Sequence, residues 1–345
     1  MYIPALDRRP VIDFWRGVAR PPVVFTHVPD LTYRQKPPAE MLEMAIELIS
    51  RWESTGSNLP PVFVPDFGTV TNAKPWGGKI HRTDGGQLFI EPVAETLDDA
   101  LAIDPAPNPD IELALDLYDK LRHRTGRDDI RFVTPDYQGV LGTAVQVVKQ
   151  EELLMGMYSE PEKVHAFLDR VCTSNIAFLQ AIRKEVYVDG GVWPYIWLPQ
   201  EAGIVITEDE MPLLSPDLYR EFGLPYLKRI SDTFGPVFIH SCGNWLHCAD
   251  VLRDSGIRNL GIDFCYPYTK LQDIEAALPG LVLQPGFDFA RKVEYETLAD
   301  YLSAMTRQRT NSALWIAANH SPLWEVPRLT QLFARESRFL SQEPV

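Results

Sequence analysis

Between Gly235 and Trp245 the chain reads GPVFIHSCGNW. An apolar run suited to a strand ends on His240, Cys242 follows two positions later, and Gly243 turns the chain at once. Residues two apart on a strand face the same side, so an imidazole and a thiol are offered to one point. Those are the borderline-soft donors that suit zinc, and a catalytic zinc takes about three protein ligands while keeping one position for substrate. The third donor has two candidates: Cys265, which closes NLGIDFC, and His320, just past ALWIAAN. Cys248, in WLHCADVL, fits the apolar face of a helix, and His247 beside it fits the solvated face. The bland reading of an H-x-C is a chance pairing in which the cysteine is a small buried apolar residue. Its position at a strand tip followed by glycine favours the metal.

Carboxylates stand at other strand tips. Asp66, in PVFVPDFG, would hold substrate charge or move protons, or else cap its own turn. Asp263, in GIDF, is spaced to lean on a metal ligand from behind. His27, Asp136 with Tyr137, Trp197, Gln284 and Asp288 also fall at the ends of apolar runs.

These tips belong to eight β-rich runs: 22–28, 61–67, 130–136, 191–197, 236–242, 259–265, 281–287 and 313–319. Several are apolar at nearly every position, as strands buried on both faces are. Between them lie stretches with apolar residues at three-and-four spacing, such as AEMLEMAIELISRWE and PEKVHAFLDRVCTSNIAFLQAIRKEV, which read as helices. Ser215-Pro216 marks a helix start, and Pro225 is expected to kink or divide the helix it opens. Strand and helix alternating eight times predict a (β/α)8 TIM barrel, whose active site lies at the C-terminal ends of its strands. A helical lead-in precedes the first strand. KIHRTDGGQLFIEP (79–92) reads as a β-hairpin excursion after the second. No G-x-G-x-x-G follows the first strand, which disfavours a doubly wound dinucleotide fold. One domain is expected over residues 1–345.

The formal net charge of -14 excludes polyanions, nucleic acid and anionic membrane alike, as natural partners. No apolar stretch is long enough to span a bilayer, and the N-terminus does not read as a signal peptide. The four cysteines form no disulfide framework in a chain of this length, so a reducing cytoplasm is the expected setting. A small-molecule substrate fits these limits, and a homodimer is compatible with them.

The motifs HSCGN (240–244), GIDF (261–264), LQPGFD (283–288) and NHSPLWEVP (319–327) resemble the uroporphyrinogen decarboxylase and corrinoid-methyltransferase superfamily. So do YQGVLGTAVQ (137–146), EELLMGMYSEPEKVHAFLDRV (151–171) and LLSPDLYREFGLPYLKRI (213–230), all in the family's order from about residue 60 onward. The resemblance implies a single α/β barrel. In the zinc-dependent methyltransferase branch, an H-x-C after the fifth strand and a later cysteine bind zinc, which activates a thiol to receive a methyl group from a methylated corrinoid. His240 and Cys242 match the first two ligands. His320 falls where the third would be, with histidine in place of cysteine. The implied cofactor is Zn2+, with a corrinoid as substrate or on a partner protein. The decarboxylase branch implies instead a metal-free reaction on a tetrapyrrole centred on Asp66. That branch carries an arginine-containing stretch after the first strand, whereas VVFTHVPDLTYR offers His27 and only a late Arg34; polycarboxylate binding without guanidinium forks is hard to arrange. A barrel that binds a corrinoid without turnover is the third reading.

Overall fold

The structure is a computed structural model that describes residues 8–16, 23–27, 29, 31, 36–83, 88–191, 196–266, 269–287 and 298–318. Eleven strands occur among them: β1 (Val23–His27), β2 (Val62–Phe63), β3 (Lys79–Arg82), β4 (Leu88–Glu91), β5 (Arg131–Val133), β6 (Val188–Asp189), β7 (Ile204–Thr207), β8 (Val237–His240), β9 (Asn259–Tyr266), β10 (Val282–Phe287) and β11 (Ala313–Ala318). One parallel sheet runs β1-β11-β10-β9-β8-β7, a second runs β2-β5-β6, and β3 pairs with β4 as an antiparallel hairpin. A parallel bridge from Gln138 to Thr207 joins the continuation of β5 to the tip of β7. With the short β6 lying beside β5 ahead of that bridge, the other strands run β2-β5-β7-β8-β9-β10-β11-β1, the chain order of an eight-stranded α/β barrel. Among the described residues no ladder closes β1 onto β2.

The strands are parallel because helices separate them, and their composition follows from burial on both faces. Ile204 to Thr207 and Val237 to His240 are buried at every position. The longest helix, Pro161–Glu185, starts on a first-turn proline and buries Val164, Phe167, Leu168, Val171, Phe178, Leu179 and Ile182 along one stripe. Each such side chain contributes about 1.5–3 kcal/mol of apolar burial, so packing against neighbouring helices such as Asp110–Thr125, Val140–Val147 and Leu224–Phe234, not intrinsic propensity, fixes the helix. The lead-in helix, Arg9–Trp15, packs Trp15 against Trp315 of β11 with ring centroids 4.9 Å apart and the planes tilted by 40°. Pro225 divides its helix as expected. Without an amide hydrogen it breaks the regular ladder, and a π-turn at Tyr219–Gly223 precedes the helix Leu224–Phe234.

One strand differs from the expectation. Of the run 191–197, residues 192–195 lie outside the described residues and the other three are not in a strand; the fourth position in the barrel order is taken by β7, which starts seven residues after the run ends. Pro194 lies within the earlier run and would remove a ladder donor. β7 follows directly on Gly203, at φ +138, where a Cβ would come within 2.0 Å of the Pro236 carbonyl oxygen. Only glycine permits that approach, and it lets the Ile204 amide donate to the same oxygen at 2.9 Å. No helix among the described residues is long and apolar enough to cross a membrane.

Candidate metal centre

The site is built by strand register. Thr207 stands opposite His240, and Asp263 opposite Gln284. Ile239 pairs with Ile262 one residue earlier, so the row across the C-terminal edge of the strands reads Thr207, His240, Asp263, Gln284. All four are buried. His240 and Asp263 meet because their strands are neighbours in register.

His240 Nδ1 lies 2.5 Å from Asp263 Oδ2, while the other oxygen of that carboxylate accepts the Ser241 amide at 3.0 Å. The Trp245 indole donates to the Asp263 carbonyl at 3.2 Å and fastens the following loop to β9. With Nδ1 engaged, Nε2 is the face left to a ligand. It lies 3.2 Å from Cys242 Sγ and 3.8 Å from Asp209 Oδ1. The Cys242 amide donates to the same Asp209 oxygen at 2.7 Å, which ties the two ligand-bearing loops together. Among the described residues, Asp209, His240 and Cys242 form a cluster whose donor atoms all lie within 4.8 Å of one another.

That geometry fits zinc. Donors about 2.0–2.3 Å from a tetrahedral ion stand about 3.3–3.8 Å apart, close to the 3.2 and 3.8 Å that separate His240 Nε2 from Cys242 Sγ and Asp209 Oδ1. One nitrogen, one sulfur and one oxygen form an accepted donor set, and the buried carboxylate behind the imidazole is the usual support. Burial opposes the imidazolium of His240, yet the Asp263 carboxylate, with Cys242 and Asp209 nearby, holds its pKa well above the ordinary value. A metal at Nε2 would therefore displace a proton.

Asp209 was missing from the sequence reading, and the cause is the displaced fourth strand. Once β7 ends at Thr207, the strand-tip rule places Glu208, Asp209 and Glu210 at the site; a strand at 191–197 pointed to Trp197 instead. Trp197 is buried and donates to Asp189 at 3.0 Å, beside Arg131 at the start of β5 and so at the opposite end of the strands. Of the flanking acids, Glu208 is buried and Glu210 is partly buried. Burial first and Glu210 second push Glu208 up to about 8, and burial with Asp209 pushes Glu210 up to about 7.

The remaining candidates separate. Asp66 is fully buried, and its Oδ1 accepts the amide of Gly68, which sits at φ +85; this carboxylate holds its own turn. Asp136 accepts a hydrogen bond from the Gln138 side chain (Nε2) at 2.8 Å. With Val64, Thr134, Tyr137, Val205 and Thr207 it also lines a small cavity. Cys248 is buried with its sulfur toward the Met211 carbonyl, and His247 reaches the Leu214 carbonyl at 2.8 Å. His320 and Asp288 lie outside the described residues, as do the side chains of Cys265 and His27.

Residues 67–285, well over half of the chain, match the family model of uroporphyrinogen decarboxylase (URO-D). The chain belongs to the uroporphyrinogen decarboxylase family. The fold of this family member is similar to that of a methyltransferase from Methanosarcina mazei, with 15% identity and a TM-score of 0.62 over 96% of this chain and 98% of that one. No curated protein matches the sequence.

Proposed function

We propose that this family member is a zinc-dependent methyltransferase of the corrinoid type, acting at Asp209, His240 and Cys242. The observation that carries the reading is the convergence of an imidazole, a thiol and a carboxylate, with Asp263 locked to the far side of the imidazole. The structural likeness to a methyltransferase supports the same reaction class. A metal-free decarboxylation would give this cluster no task, and Asp66, which that reaction would need, is engaged in a turn.

Zinc held there would supply Lewis acidity that lowers the pKa of a substrate thiol and keeps it nucleophilic at neutral pH. The chain's own residues prepare for this. Asp263 fixes the tautomer of His240 so that Nε2 faces inward. The Cys242 amide holds Asp209 in place. Glu208, mostly protonated at neutrality, and Glu210, partly so, limit further negative charge at a site that already has Asp209 and Asp263. With three protein donors the fourth tetrahedral position is open to substrate. His320, the third ligand implied by the family resemblance, lies outside the described residues, and the donor set proposed here rests on Asp209. The methyl donor is a methylated corrinoid, on a partner protein or free, or a small methylated compound; a reducing cytoplasm would keep Cys242 a free thiol.

Metal analysis tests the proposal directly. The protein as purified, or reloaded after chelation, is expected to hold one zinc per chain, and His240→Ala with Cys242→Ala together to hold none. Full retention by the double variant would end it.

A further inference from the structure

We propose that Glu208 and Tyr219 are positioning residues, whose hydrogen bond fixes the segment after β7 so that Asp209 meets His240 and Cys242. The inference rests on the metal centre proposed above and concerns residues that supply none of its donors.

Beyond Thr207 the backbone continues as a strand for one more rung, because the Glu208 amide donates to the His240 carbonyl at 2.7 Å. The chain then turns, with the Met211 amide donating to the Glu208 carbonyl at 3.2 Å, and Asp209 falls on one side of the turn while Glu208 and Glu210 fall on the other. Asp209 goes to the metal cluster. Glu208 and Glu210 go to the first turn of the helix Val140–Val147, and two glycines receive them there. A Cβ on Gly139 would stand 2.3 Å from Glu208 Oε1, and one on Gly142 would stand 2.9 Å from Glu210 Oε2. The Glu208 carboxyl fits because position 139 carries no side chain, and that of Glu210 takes the space beside Gly142.

Tyr219 completes the anchor. Its hydroxyl donates to Glu208 Oε2 at 3.2 Å, and both residues are buried. The ring is itself fixed, since it lies against Gly223, where a Cβ would come within 2.5 Å of two ring carbons. Tyr219 and Gly223 are the two ends of the π-turn forced by Pro225. Such turns are frequent at functional sites, and this one aims a hydroxyl at the residue preceding a metal donor. Asp209 is thus held from two directions, by its neighbour's anchor and by the Cys242 amide.

The test is zinc affinity by chelator competition, together with the visible spectrum of the cobalt(II)-loaded protein, for Tyr219→Phe, Glu208→Ala and Glu208→Gln, with Asp209→Ala and His240→Ala as references. Tyr219→Phe and Glu208→Ala are expected to bind zinc about 10-fold more weakly, at the lower end of the roughly 10–100-fold effects of residues that support metal ligands. Their cobalt spectra should shift toward that of Asp209→Ala. Glu208→Gln retains an acceptor for the tyrosine hydroxyl and should bind as the native chain does. If folded Tyr219→Phe and Glu208→Ala show native affinity and spectrum while Asp209→Ala is weakened, this proposal is overturned and the metal centre stands. If Asp209→Ala binds as the native chain does, the segment has no ligand to position and the proposal again falls. Native zinc binding by His240→Ala removes the metal centre and this inference with it. Should Glu208→Ala not fold, Tyr219→Phe, which deletes a single oxygen, decides the matter.

Discussion

Replacing Glu208 with glutamine should leave the protein little changed in acid and make it more stable in alkali. Burial, reinforced by Glu210, raises the Glu208 pKa from 4.5 to about 8. At about 1.36 kcal/mol per pKa unit this is a preference of about 5 kcal/mol for the neutral acid. Relaxation around a new charge and coupling to Glu210 reduce what a stability measurement would recover to about 2–4 kcal/mol. The sign follows from proton counting. Between pH 4.5 and about 8 the folded chain keeps a proton that the unfolded chain has released, so the free energy of unfolding falls as pH rises through that window. Glutamine has no proton to lose and escapes the decline, while its amide oxygen still accepts from Tyr219. The assay is urea unfolding of the metal-free protein, native and variant, at about pH 5 and about pH 9. The difference in unfolding free energy should be small at the lower pH and should favour the variant by about 2–4 kcal/mol at the higher. A difference equal at both ends would refute the claim that the fold keeps this carboxyl neutral.

Asp263→Asn should weaken zinc binding by about 10–100-fold in chelator competition, since it removes the charge that orients His240. In the metal-free protein its cost should be greatest below pH 6.5 and fade as pH rises through the raised His240 pKa, because that is where the folded imidazolium is lost. At the other end of the strands, Asp189 is fully buried and takes two hydrogen bonds from Arg131 at 2.7 and 2.8 Å, with others from Trp197 and the Gln200 amide. Arg131→Met leaves that carboxylate without its cation and should cost about 3 kcal/mol in urea unfolding.

Much of the site was legible because it is written in local patterns. The three-residue span from His240 to Cys242 needs only a strand to bring its ends to one side, and GIDF needs only to be the next strand for Asp263 to stand behind His240. The hairpin at 79–92 was legible for the same reason, as a glycine pair between two short alternating runs. The fourth strand was not. GVWPYIW is longer and more aromatic than GIVIT, and apolar content alone ranks it first; what selects GIVIT is the close crossing of Gly203 over Pro236, a contact between residues far apart in the chain. The loss of Asp209 followed from that one displacement.

By itself, then, the amino-acid sequence determined the alternation of strand and helix, the pairing of His240 with Cys242, and a carboxylate poised at Asp263, since each depends on spacing within a few residues. The tertiary structure decided which acidic residue joins them. Asp209 reaches His240 only through the register of β7 on β8 and through the glycines of a distant helix that admit its neighbours. Hydrophobic periodicity specifies which face of a strand is buried, but not which strand lies beside it or how far along the two are set; those follow from packing the whole sheet at once.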